Sequence, residues 1–265
     1  MDVALAQLHV EGAAVDANVD RAVAAVEEAA AAGADLVCLP ELFNVGFFAF
    51  EAYRDLAEPL DGPTLSAVRD AAVDAGVAVL AGSVVEDLAA TDGGPADEGL
   101  ANTSVLFDAG GDRLLAYRKH HLFGYESAEA ELLTPGEAVP TADLGGFTAA
   151  VTTCYDLRFP ELYRGLVDDG VDLVLVPSAW PYPRVEHWTL LPQARAVENL
   201  AYVAAVNGSG DFGDAELLGR STVYDPWGTP VASTGDQPGV VYADLDPGRV
   251  ASVREDFPAL DDRRR

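Results

Sequence analysis

The sequence predicts a mixed α/β fold. Three observations carry this reading. Short apolar runs alternate with longer runs whose apolar residues recur at helical spacing. A hairpin pattern surrounds Gly110-Gly111. No internal repeat or linker interrupts the 265 residues, so strands and helices belong to one alternating series. That length fits a single domain over residues 1–265, although length alone would allow two.

Each element follows from local pattern. Val3 to Leu8 reads as a first strand, and Asn18 to Ala32 as a helix with Val19, Val23, Val26 and Ala30 on one face and Gly33 as its stop. Leu36 to Leu39 is a second strand. Thr64 to Ala75 is helical and closed by Gly76, and Val77 to Ser83 is again a strand. Ala89 to Gly99 is rich in Gly, Asp and Ala and reads as an exposed loop. Thr103 to Asp108 and Arg113 to Arg118 form the hairpin, and Phe123 to Val139 is an acidic loop. Then come a strand from Phe147 to Val151, a helix from Phe159 to Asp169, a strand from Leu173 to Pro177, a helix from His187 to Asn199 and a strand from Ala201 to Val206. The remainder alternates short strands and turns.

Composition narrows the class. The hydrophobic fraction of 49% is ample for a core, while 44 acids against 16 bases give a net charge of −28. The acids are dispersed through helices and loops, which argues against nucleic-acid or anionic-membrane partners. This acidic, lysine-poor style suits a protein working in high salt, where screening suppresses self-repulsion; an acidic solubility surface at ordinary salt is the plainer alternative. Asp2 and Glu11 break the first apolar stretch, so no signal peptide is expected. No apolar run reaches the roughly 18 residues of a membrane span. A cytoplasmic location is expected, and there a disulfide between Cys38 and Cys154 is not.

Three polar residues stand out. Cys154, in Thr153-Cys154-Tyr155-Asp156-Leu157-Arg158-Phe159-Pro160-Glu161, follows a strand and precedes a helix that has Pro160 near its first position. Backbone N–H groups at such a turn favour negative charge, which suits a thiolate nucleophile. A buried structural cysteine fits the turn equally well. Lys119 is the only lysine beside fifteen arginines. Its position therefore calls for a compact ammonium that a planar guanidinium cannot replace, unless drift in composition left it by chance. Glu41 ends the apolar strand in Leu36-Val37-Cys38-Leu39-Pro40-Glu41-Leu42-Phe43, as a paired core residue or as an acid/base with a raised pKa.

Glu41, Lys119 and Cys154, in that order within LPELF, YRKHHLF and TCYDLRFPEL, resemble the nitrilase superfamily of carbon–nitrogen hydrolases. The likeness continues through Leu100-Ala101-Asn102-Thr103, Ala194 to Asn199 and Gly219 to Gly228, and ends in Val253-Arg254 to Arg264, so it covers nearly the whole chain. It implies a four-layer α-β-β-α sandwich and a dimer or larger homo-oligomer. It also implies amide hydrolysis: Cys154 attacks the carbonyl, Glu41 moves the proton, and Lys119 with the Tyr155 N–H stabilises the oxyanion. A thioester and free ammonia result, and no cofactor is required. A second family carboxylate orients the lysine; its distance from Thr134-Pro135-Gly136 favours Glu129, with Glu126 and Glu131 as rivals.

Specificity is expected from Ser178 to Arg184 and from His187-Trp188, which resemble the ω-amidase branch acting on the terminal amide of small 2-oxo dicarboxylic acid amides. Arg184 would bind a carboxylate, while Phe43 and Trp180 would line an apolar wall. N-carbamoyl compounds or nitriles are alternative substrates, and a catalytically silent binding protein is the alternative from another class. Gly208 to Gly213 matches GxGxxG but leaves no room for the helix of a dinucleotide site. His120-His121, if on a strand, point to opposite faces, which speaks against a shared metal. Arg158, Glu161, Arg195 and Glu198 are expected as paired charges beneath the site.

Overall fold

Alternation along the strands sets the layers. The computed structural model describes residues 1–92, 94–125 and 127–264. The first half contains β1 (Asp2–Gln7), α1 (Val15–Ala31), β2 (Leu36–Cys38), α2 (Pro63–Ala75), β3 (Ala78–Leu80), β4 (Val84–Asp87), β5 (Leu100–Phe107), β6 (Arg113–Arg118) and α3 (Glu129–Leu132). The second contains β7 (Thr141–Leu144), β8 (Phe147–Val151), α4 (Pro160–Asp168), β9 (Leu173–Ser178), α5 (Val185–Asn199), β10 (Tyr202–Asn207), β11 (Ser209–Asp211), β12 (Glu216–Leu218), β13 (Thr222–Tyr224), β14 (Pro230–Ser233), β15 (Gly239–Asp244) and α6 (Pro247–Asp256).

On β1, Val3 and Leu5 join the core between the two sheets, while Ala4 and Ala6 face α1 and α2. Small alanines on that face allow helix and sheet to approach closely. In the second sheet, Ala149, Val151, Leu173 and Leu175 face the first sheet, while Ala150, Val174 and Val176 meet α4 and α5. The result is the expected α-β-β-α sandwich. One sheet runs β15-β1-β2-β3-β5-β4, with β6 also on β5; the other runs β14-β13-β10-β9-β8-β7. At the centre of each, neighbouring strands are parallel: β1, β2 and β3 in one, β8, β9 and β10 in the other. Their carboxyl ends lie at the same end of the sandwich, where clefts form in α/β sheets.

Several boundaries differ from the sequence reading, each for a physical reason. The strand expected over 77–83 is shortened to β3, and a separate strand, β4, follows it. Gly82 sits between them at φ +48°, and a Cβ there would lie 2.0 Å from the Pro40 carbonyl oxygen. The backbone needed for that close pass cannot continue a ladder. The acidic loop holds the one-turn α3. The glycine-rich segment after β10 contains the β11–β12 hairpin and no helix. Helix α6 went unread because only Val250 and Val253 are buried on it, too few to mark a face. Its start was nonetheless written: Asp246 Oδ1 accepts from the Gly248 N–H at 2.9 Å, and Pro247 opens the helix. Among the described residues no helix is long and apolar enough to cross a membrane.

Candidate active site

Four separate elements deliver the site. Glu41 follows β2, Lys119 follows β6, Glu129 opens α3 and Cys154 follows β8. All four are buried. Lys119 Nζ lies 2.8 Å from Glu41 Oε1 and 2.8 and 3.0 Å from the two oxygens of Glu129. Glu41 Oε2 accepts from the Ala179 N–H at 2.8 Å, beyond the end of β9. Glu129 Oε2 accepts from the Phe123 N–H at 2.7 Å. Glu131 is exposed, and Glu126 lies outside the described residues.

The main chain of Lys119 is held as firmly as its ammonium. Its N–H donates to the Asn102 carbonyl at 2.8 Å, and its carbonyl accepts from the Gly136 N–H at 3.0 Å. Gly136 permits this pass, because a Cβ there would fall 2.2 Å from the Arg118 carbonyl oxygen. Arg118 itself is anchored by two 2.7 Å bonds to the buried Glu86 carboxylate.

Cys154 adopts φ +46°, in the left-handed region that costs a non-glycine residue about 1–3 kcal/mol. Two devices hold it there. The buried Asp156 accepts from the Thr153 N–H at 2.8 Å, the Tyr117 hydroxyl at 2.6 Å and the His121 N–H at 2.9 Å, tying the cysteine turn to the end of β6. From α5, Arg195 donates to the Leu157 carbonyl at 3.0 and 2.8 Å. Tyr155 supplies the first N–H beyond Cys154 on this turn.

Burial pushes the Cys154 thiol well up, and Glu41 adds to that, while Lys119 and the Ala179 N–H pull it back. The thiol is therefore neutral at rest near pH 7. Burial alone pulls the Lys119 ammonium down, but the negative charges of Glu129 and Glu41 outweigh it and hold the group fully protonated. Burial raises Glu129, against the opposing pull of Lys119. Cys38 lies in the core between the sheets and its thiol is raised by burial, as suits an inert side chain.

Cys154 and Lys119 open onto a cavity of about 260 Å³, lined further by Phe47, Phe48, Phe50, Tyr155, Trp180 and Tyr182. Trp180, expected in the apolar wall, and Arg184, expected to bind a carboxylate, both line it. Phe43 does not: it is fully buried among Val37, Leu39 and the residues of α1 and α2. The aromatic wall is instead Phe47 to Phe50, one turn further along the same aromatic run. Arg158 corrects a second expectation. It is no buried ion-pair partner of Glu161, which is exposed; it lines the cavity, with its guanidinium 5.2 Å from the Trp180 ring centre and 5.7 Å from that of Tyr155. Arg195 and Glu198 do pair. The two histidines lie beyond the end of β6, so strand alternation does not separate them, and their ring centres are 4.8 Å apart. His121 stacks on Phe159 at 3.6 Å.

Asn102 also touches this cluster, and the sequence reading left it without a role. Its Nδ2 lies 2.8 Å from Glu41 Oε1 and 3.1 Å from Glu129 Oε1. The available signal was the polar run Asn102-Thr103-Ser104 in the middle of a strand flanked by apolar residues.

The family model for carbon–nitrogen hydrolases matches residues 2–255. The chain belongs to that family. This carbon–nitrogen hydrolase is 35% identical to a 2-oxoglutaramate amidase of Paenarthrobacter nicotinovorans, over 87% of the chain and 79% of the relative. It is 34% identical to an omega-amidase of Danio rerio, over 99% and 94%. Among solved structures it resembles an amidase of the nitrilase superfamily from Nesterenkonia sp., with a TM-score of 0.82, 29% identity and coverage of 98% of this chain and 99% of that one. In that amidase, acrylamide has added to the active-site cysteine.

Proposed function

We propose that this carbon–nitrogen hydrolase is an ω-amidase, releasing ammonia from the terminal amide of a small 2-oxo dicarboxylic acid. One observation carries the reading. The cavity that receives Cys154 and Lys119 also holds Arg158 and Arg184, so a carboxylate can be bound while an amide meets the thiol. The likeness to relatives named for 2-oxoglutaramate and omega-amides supports it.

Each step follows from the groups present. Sγ of Cys154 bonds to the amide carbon as its proton passes to Glu41. The C=O pair moves onto oxygen, stabilised by Lys119 and the Tyr155 N–H. The C–N bond breaks as Glu41 returns the proton to nitrogen, leaving a thioester and ammonia. Glu41 then takes a proton from water, whose oxygen attacks the thioester carbon. The C–S bond breaks and the thiol recovers its proton. Glu129 keeps the ammonium in place.

The test is ammonia release from a panel of amides, carbamoyl compounds and nitriles. Cys154→Ala should abolish turnover with the fold intact, and Cys38→Ala should keep it. Turnover surviving in Cys154→Ala removes the mechanism; no turnover by wild type on any of the panel favours a silent binding protein.

Four further features belong to this proposal: one domain over residues 1–265, a cytoplasmic location, work at high salt, and assembly as a homodimer or larger. The assembly is argued from charge. In a chain of net charge −28, residues 187–197 of α5 carry no acid. Leu190 and Val197 are exposed there, the turn at Gly228 packs on Val197, and exposed Trp227 lies tilted against exposed Phe257 with ring centres 5.7 Å apart. A second copy is the partner whose identical acid-free face meets this one without opposing carboxylates.

A further inference from the structure

We infer that Asn102 is a positioning residue that keeps Glu41 and Glu129 ionised side by side around Lys119. The inference rests on the roles just proposed for those three. Its observations are separate ones.

Asn102 touches all three partners. Its carbonyl holds the Lys119 N–H at 2.8 Å. Its Nδ2 places one N–H against each carboxylate, at 2.8 Å on Glu41 and 3.1 Å on Glu129. The amide orientation is dictated by the anions, since a flipped amide would put a carbonyl oxygen against two carboxylate oxygens. In this orientation Oδ1 is buried and has no partner. An orphaned buried carbonyl costs stability, and an apolar side chain would avoid that cost. The amide is therefore explained by its two N–H groups and not by its oxygen.

Charge supplies the reason. Two buried carboxylates share one ammonium, leaving one negative charge in excess. A proton on either would relieve it, and one on Glu41 would remove the base. N–H groups donated to the charged form oppose that protonation. A neutral donor does so without adding a second cation that would compete with Lys119 for the oxyanion. Among the described residues, the other titratable groups facing the cluster are Cys154 and Tyr53, and Tyr53 is held neutral by burial.

The test uses the whole chain carrying Asn102→Leu, Asn102→Asp or Asn102→Ser, with fold followed by circular dichroism. Asn102 does not line the cavity, so KM should stay within about twofold while kcat for ammonia release falls ~10- to 100-fold in Asn102→Leu. The acid limb of kcat/KM should move to higher pH, because carboxylates without their donors take up protons more readily. Asn102→Asp keeps the shape, adds a third carboxylate and should move the limb furthest. Asn102→Ser keeps one donor and should fall between wild type and Asn102→Leu. An unmoved acid limb in folded Asn102→Leu and Asn102→Asp, or a loss confined to KM, overturns the inference. So does loss of fold in all three, which would make the residue structural. Turnover in Cys154→Ala strikes the underlying mechanism instead, and wild type with Cys154→Ala alone decides that.

Discussion

Lys119 concentrates the residue-scale argument. Its ammonium is shared by two carboxylates at 2.8 Å each in a fully buried pocket, 5.2 Å from the ring centre of Phe47. A guanidinium is broader and planar, so it cannot occupy that point without displacing one carboxylate. Lys119→Arg should therefore be nearly as inactive as Lys119→Ala, about 100- to 1,000-fold below wild type in kcat. An arginine variant retaining more than about a tenth of wild-type turnover would count against a point-charge role. The residues proposed to be catalytic were legible because rarity and position coincide: a lone lysine, a cysteine after a strand, a glutamate ending one. Phe43 was misjudged because chain proximity to Glu41 does not say which way a ring turns after Leu42 enters positive φ, +45°. Arg158 was misjudged because a charge in a turn is as often paired as exposed to a cleft. Only three-dimensional closure separates those cases.

At the scale of elements, the site depends on backbone passing close to backbone. The end of β6, which leads into Lys119, is pinned by Gly136, whose hydrogen atom faces the Arg118 carbonyl. Adding a methyl group there must push the two segments apart, because the obstacle is main chain and cannot rotate away. Gly136→Ala should cost about 1–3 kcal/mol in denaturant unfolding and should also lower kcat, since the same shift moves Lys119. Ordinary stability with ordinary turnover would show that the two segments can separate freely. Most elements could be read from period and turn residues. The exceptions were short or weakly amphipathic: α3 has one turn, β7 has no fully buried residue, and α6 buries two valines on a polar surface. Their positions come from what they pack against, which local pattern does not record.

For the whole molecule, charge and assembly give two expectations. At 0.01 M salt the screening length is about 30 Å, so the surplus acids repel across the entire surface; at 0.15 M it is about 8 Å. Melting temperature should rise with KCl well beyond that point, and a flat profile from dilute buffer to molar KCl would remove the high-salt reading. The second expectation concerns the acid-free face of α5. Leu190→Asp places a carboxylate at its exposed centre, opposite its own copy in a symmetric dimer. The variant should elute as a smaller species than wild type on size exclusion, with unchanged circular dichroism. Identical elution volumes would move the contact elsewhere. The four layers themselves came from resemblance and not from period. Alternation shows that a strand has two faces, yet it does not say that a second sheet covers one of them.

The burial of the only lysine also decides how such an assembly can be studied. Bifunctional reagents that bridge ε-amines find no lysine on the native surface, so a band of monomer size after such treatment says nothing about quaternary structure. Carbodiimide coupling through a dihydrazide spacer would draw instead on 44 acidic side chains. For the same reason, a digest that cuts only after lysine divides the unfolded chain once, just beyond Lys119, and separates the segment carrying Glu41 from the one carrying Cys154.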